Sequence, residues 1–209
     1  MNSPIAEPPA SNHKTTQIQN VAVIGAGVAG RSFALATACV GFHVILEDVM
    51  PANLRKAEAD FADMSGRAGP GRLSLATTVE DAVRLADIVF DFVPDELESK
   101  LEIFSLLDRM APPRTIFCTP SYTLSITDLA SCVYRPDRCF AARGSLISTG
   151  SDGQLLRLLY PATADPEILT ATEHFLCALG LTVQPETDPD VPVLIKNLVQ
   201  TALSSPENF

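Results

Sequence analysis

The sequence predicts a single-domain α/β protein built on a doubly wound, mostly parallel sheet. Three observations lead to this fold class. Short strands alternate with helices, most strands are apolar on both faces, and a glycine-rich turn follows the first strand. The chain has 209 residues, 46% hydrophobic and 19% charged, so it contains enough apolar material for one sizeable core.

The first half of the chain alternates strands and helices regularly. Its predicted elements are a strand over 19–24, a helix over 28–40, a strand over 43–46, a helix over 52–64 beginning near Pro51, a weak strand over 73–76, a short helix over 79–86 and a strand over 87–93.

The second half continues the pattern with one helix-start signal, because Ser125 and Asp128 resemble a capping box. Its predicted elements are a helix over 96–110, a strand over 115–119, a helix from 125 to about 134, strands over 138–142 and 155–160, a helix over 165–179, a strand over 181–184 and an apolar helix over 191–203.

Charge and composition exclude several classes of partner. The net charge of -10 repels phosphate backbones, so we expect no nucleic-acid partner. We expect neither a signal peptide nor a membrane span, because the first twenty residues are polar and no apolar run reaches about 20 residues. The five cysteines form no CxxC pair, so we expect reduced, buried thiols in a cytoplasmic protein that holds no metal.

A glycine loop gives the first indication of function. Gly25-Ala26-Gly27-Val28-Ala29-Gly30 follows a predicted strand and opens a predicted helix, which is the context that a dinucleotide fingerprint requires. Gly25 permits the tight turn, Gly27 allows the pyrophosphate to approach the backbone, and Gly30 allows close packing of helix on strand. The loop therefore predicts a Rossmann-type fold with the cofactor at the helix N-terminus.

An acidic residue selects between the two common dinucleotides. Asp48 follows the second predicted strand, twenty-three residues after Gly25. A carboxylate there accepts hydrogen bonds from the adenosine ribose and repels a 2′-phosphate, which favours NAD over NADP. Glu47 serves instead if the strand ends one residue earlier.

Five segments also share their order and spacing with one enzyme family; they are VAVIGAGVAG from residue 21 and the segments 91–100, 124–129, 135–138 and 190–197. They resemble the NAD-binding domain of the 3-hydroxyacyl-CoA dehydrogenases over residues 19–203. The resemblance implies that Val93-Pro94-Asp95 and Lys100 bind the cofactor, with Asp95 and Lys100 beside the nicotinamide ribose. Alternatively, Asp95 is only a helix-start acid and Lys100 a solvated side chain.

The catalytic residues of that family are largely replaced here. Arg143 stands where the resemblance implies the general-base histidine. The segment for its orienting glutamate contains Arg157 and no carboxylate. Tyr122 lies in the loop that replaces a polar family loop, and only Asn197 keeps its family identity. An arginine cannot accept the hydroxyl proton, but Arg143 and Arg157 are able to clamp a carboxylate or phosphate. Alternatively, each is a plain surface cation.

The resemblance also implies missing parts and a domain plan. We expect a disordered lead-in over 1–18, an NAD-binding Rossmann domain over 19–190, and a C-terminal helix over 191–209 where the family continues into a helical domain. The apolar 191–203 stretch predicts a homodimer or hetero-complex, unless that helix folds back on its own sheet.

Three functions remain open at this point. The first is a non-catalytic NAD(H)-binding pseudoenzyme. The second is an NAD-dependent oxidoreductase that acts on a CH–OH group of an anionic hydroxy acid or acyl thioester, with Arg143 holding the substrate and Tyr122 as acid. The third is one subunit of a split dehydrogenase.

Overall fold

The computed structural model describes residues 17–64, 71–147 and 155–188. Strands and helices alternate along most of these ranges. The strands are β1 Asn20–Ile24, β2 His43–Glu47, β3 Arg72–Ala76, β4 Ile88–Asp91, β5 Ile116–Pro120, β6 Cys139–Arg143, β7 Leu155–Tyr160 and β8 Thr182–Thr187. The helices are α1 Val28–Val40, α2 Pro51–Met64, α3 Val79–Val83, α4 Leu97–Met110, α5 Ile126–Ala130 and α6 Pro166–Ala178.

The strands form one sheet in the order β3-β2-β1-β4-β5-β6-β7-β8. All neighbouring strands are parallel except β6 and β7, which run antiparallel. The chain order reverses between β1 and β4, and ligands of doubly wound proteins bind at such a switch point. The predicted fold class, a doubly wound and mostly parallel sheet, is confirmed.

Helices cover both faces of the sheet. Phe33 of α1, Leu54 of α2 and Phe175 of α6 are buried in one core cluster. Ala82 of α3, Phe104 of α4 and Leu129 of α5 belong to the cluster on the opposite face. Burial on two faces explains why the central strands read as continuous apolar runs.

Local signals set several helix ends as the sequence predicts. Asp165 accepts the N–H groups of Glu167 at 2.8 Å and Ile168 at 3.4 Å, and Pro166 takes the first helical position of α6. Gly180, with a φ of +80°, ends the same helix region. Ser125 Oγ accepts the Asp128 N–H, so the predicted cap of α5 is confirmed.

The predicted length of α5 is wrong. The helix ends at Ala130 rather than near residue 134, because hydrogen bonds to α4 hold the following residues in another direction. Asp108 accepts the Tyr134 N–H at 2.9 Å and the Arg135 Nε at 2.8 Å. The Arg135 guanidinium also lies 5.1 Å from the centre of the Phe117 ring. This cation–π contact helps to hold the segment that leads into β6 against the sheet.

The last strand is longer than predicted. The predicted strand over 181–184 lies at Thr182–Thr187 in the structure and includes Pro185. It lies at the edge of the sheet, where a proline need not donate to a ladder on its outer side.

Other expectations meet the structure only in part. All five cysteines are free, but Cys132 and Cys177 are exposed, so the prediction of buried thiols is wrong for these two. The predicted lead-in over 1–18 includes Ile18, which the structure buries in the core. The predicted helix over 191–203 lies outside the described residues, so the assembly predicted for it stays a prediction.

Candidate cofactor and substrate site

The predicted site residues lie along one edge of the sheet. The parallel strands β2, β1, β4, β5 and β6 are neighbours in that order, so their carboxyl ends form a continuous row. The segments after the first four strands carry, in the same spatial order, Asp48, the 25–30 glycine loop, the 93–95 segment and Tyr122, and Arg143 is the last residue of β6. A row of five strand ends offers room for an extended ligand such as a dinucleotide.

The glycine loop has the geometry that a pyrophosphate needs. Gly25 has a φ of +97°, which a side chain rarely adopts, and a Cβ on Gly30 would lie 2.0 Å from the Gly25 carbonyl oxygen. A Cβ on Gly27, by contrast, would meet nothing within 4 Å. Val28 and Ala29 are exposed at the start of α1, whose first turn contains no acidic residue. The open side of the loop therefore suits an anion.

Asp48 fastens this loop to the start of α2. Its Oδ2 accepts the Ala26 N–H at 2.8 Å and the Asn53 amide at 3.0 Å, and its Oδ1 accepts the Met50 N–H at 2.7 Å. A carboxylate offers about four acceptor positions, so one remains for a ribose hydroxyl. Val49 and Met50 are exposed beside it and supply apolar surface of the kind that an adenine contacts.

Glu47 is the acid that the sequence offered as an alternative to Asp48. Its side chain is buried with 3% exposure, whereas its carbonyl oxygen accepts the Gly25 N–H at 2.9 Å. Burial, followed by repulsion from Asp48, raises the pKa of the Glu47 carboxyl to about 7. A carboxyl that is partly protonated near neutral pH is a weaker acceptor and repels a 2′-phosphate less, so Asp48 is the better candidate although it too is buried, with 8% exposure.

The middle of the row joins two predicted residues. Asp95 Oδ2 accepts the Tyr122 N–H at 2.9 Å, so the loop after β4 is tied to the loop after β5. Both side chains are exposed, as is Pro94, and Val93 is half-buried. Asp95 is thus more than a helix-start acid, although its predicted contact with a ribose stays a prediction.

Lys100 lies beneath this middle section. It is 1% exposed, and its Nζ lies 2.6 Å from Asp91 Oδ1 at the end of β4. The alternative of a solvated Lys100 is therefore wrong. Burial raises the pKa of the Asp91 carboxyl, and the charge of Lys100 opposes that rise. The pair is a buried support for the switch point, and a contact between Lys100 and the cofactor stays a prediction.

The two arginines meet at the far end of the row. Arg143 of β6 and Arg157 of β7 are directly paired in the antiparallel register. Paired residues lie on the same face of a sheet. The half-buried Arg143 donates from Nη2 to the Leu124 carbonyl at 2.9 Å. Arg157 is bound in two-pronged fashion by Glu186 of β8, with both distances 2.7 Å.

Several of these partners were missed by the sequence argument. A sequence signal for the Asp91–Lys100 pair existed, because Asp91 interrupts the apolar run over residues 88–93. The pairing of Arg157 with Glu186 had no signal in the sequence, because it depends on the β7–β8 register. Tyr122 is 71% exposed, which places its side chain outside the packed part of the edge. Asn197 lies outside the described residues.

The parallel sheet, its switch point and a glycine turn that is closed toward the strand and open toward solvent define the class: a dinucleotide-binding Rossmann domain. The chain belongs to the family described as 3-hydroxyacyl-CoA dehydrogenase, NAD binding domain, whose model matches residues 20–143. Its cofactor is NAD, and the open Gly27 and the remaining acceptor position of Asp48 fit that group.

Relatives agree with the family. A probable 3-hydroxybutyryl-CoA dehydrogenase of Bacillus subtilis is 33% identical over 135 residues, 58% of this chain and 47% of that protein. The 5-formyl-3-hydroxy-2-methylpyridine 4-carboxylate 5-dehydrogenase of Mesorhizobium japonicum is 25% identical over 89% of this chain and 62% of that protein. A solved diketoreductase superposes with a TM-score of 0.70 at 26% identity, covering 89% of this chain and 71% of its own.

The chain spans less than two thirds of the length of these curated relatives, 47% and 62% for the two proteins above. Within the described ranges, no helix is long and apolar enough to cross a membrane. The same ranges contain no cluster of three or more histidine, cysteine or acidic residues that is arranged to hold a metal ion.

Proposed function

We propose that this chain binds NAD(H) but does not carry out the ordinary oxidation of 3-hydroxyacyl-CoA. The observation that supports this proposal is the facing of Arg143 and Arg157 across β6 and β7. In the resembling family, a histidine and a glutamate occupy the corresponding segments. A basic pair therefore stands where the reaction requires a base and the carboxylate that orients it.

The chemistry explains why this replacement matters. NAD accepts a hydride from a secondary alcohol, and a protein base must take the hydroxyl proton as the hydride leaves. A guanidinium with a pKa above about 12 stays protonated and cannot take it. Glu186 is the acid nearest in register, but it is engaged by Arg157, whose hydrogen bond lowers the pKa of the Glu186 carboxyl. A carboxyl with a lowered pKa is a weaker base.

The other half of the proposal concerns cofactor binding by the chain's own residues. The first backbone N–H groups of α1, at Val28 and Ala29, have no acceptor inside the helix by its geometry and directly follow Gly27 in the chain. Asp48 accepts from the adenosine ribose and disfavours a 2′-phosphate. These contacts require no residue from the β6–β7 end, so binding is able to persist without the reaction.

Two measurements on one preparation test the proposal. Because the chain has no tryptophan, binding is followed by the fluorescence anisotropy of NADH itself. We expect NADH to bind and NADPH to bind about tenfold more weakly or worse, since a buried acid near the ribose repels the extra phosphate. Equal affinities for the two cofactors would remove the assignment of Asp48.

The second measurement is turnover. Loss of a general base costs about 10²- to 10⁴-fold in rate, so we expect no ordinary reduction of acetoacetyl-CoA by NADH. A rate of about 1 per second or faster, which is within the usual enzyme range, would refute the proposed loss of activity.

A further inference from the structure

We propose that Arg143 is the anchor of a carboxylate-binding subsite at the carboxyl end of β6. The subsite lies in the row of loops that holds the cofactor, two strands away from the 93–95 segment at the switch point. The inference rests on the proposed function only in setting this subsite beside bound NAD(H). Its ligand class is a small molecule that carries a free carboxylate.

The Arg143 guanidinium uses only some of its hydrogen-bond donors within the protein. The Nη2 bond to the Leu124 carbonyl, 2.9 Å long, holds one nitrogen of the group. Its Nε is buried and has no hydrogen-bond partner among the described residues. A buried donor without an acceptor is costly, and native proteins normally supply a partner. The structure therefore has an oriented cation with donor capacity left over.

The charge of Arg143 is also uncompensated. Among the described residues, no carboxylate oxygen lies within ion-pair distance of it, whereas its cross-strand neighbour Arg157 is matched by Glu186 at 2.7 Å. Glu186 feels both arginines, since the charge of Arg143 contributes to lowering the pKa of its carboxyl after the larger effects of Arg157. Glu186 therefore neutralises Arg157, whereas Arg143 has no ion-pair partner among the described residues.

The form of the group selects the ligand. A guanidinium is planar and binds a planar carboxylate through two parallel hydrogen bonds, which a neutral thioester carbonyl cannot accept with equal strength. A phosphate dianion is best held by several cations or by a helix start, and the second cation here, Arg157, is already neutralised. One free arginine on a strand end therefore favours a monoanionic carboxylate.

The test is a calorimetric titration of the full chain with acetate, acetoacetate and benzoate, with and without saturating NADH. We expect at least one of these carboxylates to bind, and its affinity to fall about tenfold or more in Arg143→Gln. Acetoacetamide, which is uncharged and of similar shape to acetoacetate, should bind correspondingly less. Arg143→Lys keeps the charge but loses the planar pair of N–H donors, so its carboxylate affinity should lie between those of the parent chain and Arg143→Gln.

Two further variants separate binding from folding. Arg138→Gln, a matched change on the neighbouring 3-10 helix Pro136–Arg138, should leave carboxylate affinity unchanged. Glu186→Gln removes the screening acid and should strengthen carboxylate binding several-fold, a gain that a purely structural role for Arg143 would not produce. Thermal unfolding by circular dichroism establishes that each variant is folded.

Several results would overturn the subsite. They are failure of all three carboxylates to bind, unchanged affinity in the folded Arg143 variants, equal affinity for acetoacetamide, or tighter binding of inorganic phosphate with the same dependence on Arg143. Failure of NADH to bind would defeat the proposed function instead, and the titration without cofactor would still decide the subsite.

Discussion

The two ends of the ligand-binding edge differ in what holds them together. At the β1–β2 end, Asp48 and the glycine loop form a closed hydrogen-bond network that matches the demands of a dinucleotide. At the β6–β7 end, two arginines face each other, and within the described part of the chain only Arg157 has a carboxylate partner. Under the proposed function, cofactor binding depends on one end of the edge and proton transfer would depend on the other, so one can change while the other is kept.

The largest expected effect lies between the two ends, at Lys100. Replacing it in Lys100→Met leaves the Asp91 carboxylate buried without its partner at 2.6 Å. Breaking such a pair costs about 3–5 kcal/mol of unfolding free energy, which urea denaturation measures.

The double variant Asp91→Asn with Lys100→Met serves as the control, because it removes both charges and should recover most of that loss. If the double variant is stable but binds NADH about tenfold more weakly than the parent chain, Lys100 contributes to the cofactor site as the family resemblance implies. Unchanged affinity would assign the lysine to the support of β4 alone.

The next effect is a pH dependence at the β1–β2 end. The pKa of the buried Glu47 carboxyl is raised from 4.5 to about 7. Between those values the folded chain keeps a proton that the unfolded chain has lost, so stability falls as the pH rises. From pH 5 to pH 8 this group should cost about 2–3 kcal/mol, at about 1.4 kcal/mol per unit of pKa difference.

Glu47→Gln should remove that component, so urea denaturation of the parent and variant chains at both pH values isolates it from other titrating groups. A parent chain and variant with the same change in stability between pH 5 and pH 8 would contradict the raised pKa.

The smallest effect compares two glycines of one loop. A methyl group at Gly27 meets open space in the protein but occupies the path of the pyrophosphate. Gly27→Ala should therefore weaken NADH binding about 10- to 100-fold, the equivalent of an overpacking cost of about 1–3 kcal/mol, and leave thermal stability nearly unchanged.

Gly30→Ala is the matched contrast, since its Cβ would lie 2.0 Å from the Gly25 carbonyl oxygen and should destabilise the fold itself. A Gly27→Ala chain that binds NADH normally would show that the open side of the loop is not the pyrophosphate position.

Periodicity predicted elements well where one face decides the structure. The bounds of α1 and β7 agree with the sequence argument residue for residue, because their apolar spacing has no competing signal. It failed where a distant residue decides, as when Asp108 turns residues 134 and 135 away from α5. It also ended the last strand at residue 184, three residues before Thr187.

The site divides in the same way. The glycine loop and Asp48 were found because their spacing along the chain is fixed by one βαβ unit. The partners of Asp48, Lys100 and Arg157 depend on contacts between elements that the sequence does not bring together. Glu186 in particular reaches Arg157 only because β8 runs parallel to β7 in the observed register. Motif spacing therefore locates such a site, but not the neighbours that tune it.

The bonds of Asp48 also bear on how fast a cofactor is able to dock. Since this carboxylate already holds Ala26, Met50 and Asn53, the loop has its binding shape before any ligand arrives. The conformational entropy of ordering the loop is lost during folding rather than at association. Encounter with NAD(H) should then resemble docking onto a rigid surface, with an association rate set by diffusion and orientation instead of loop closure.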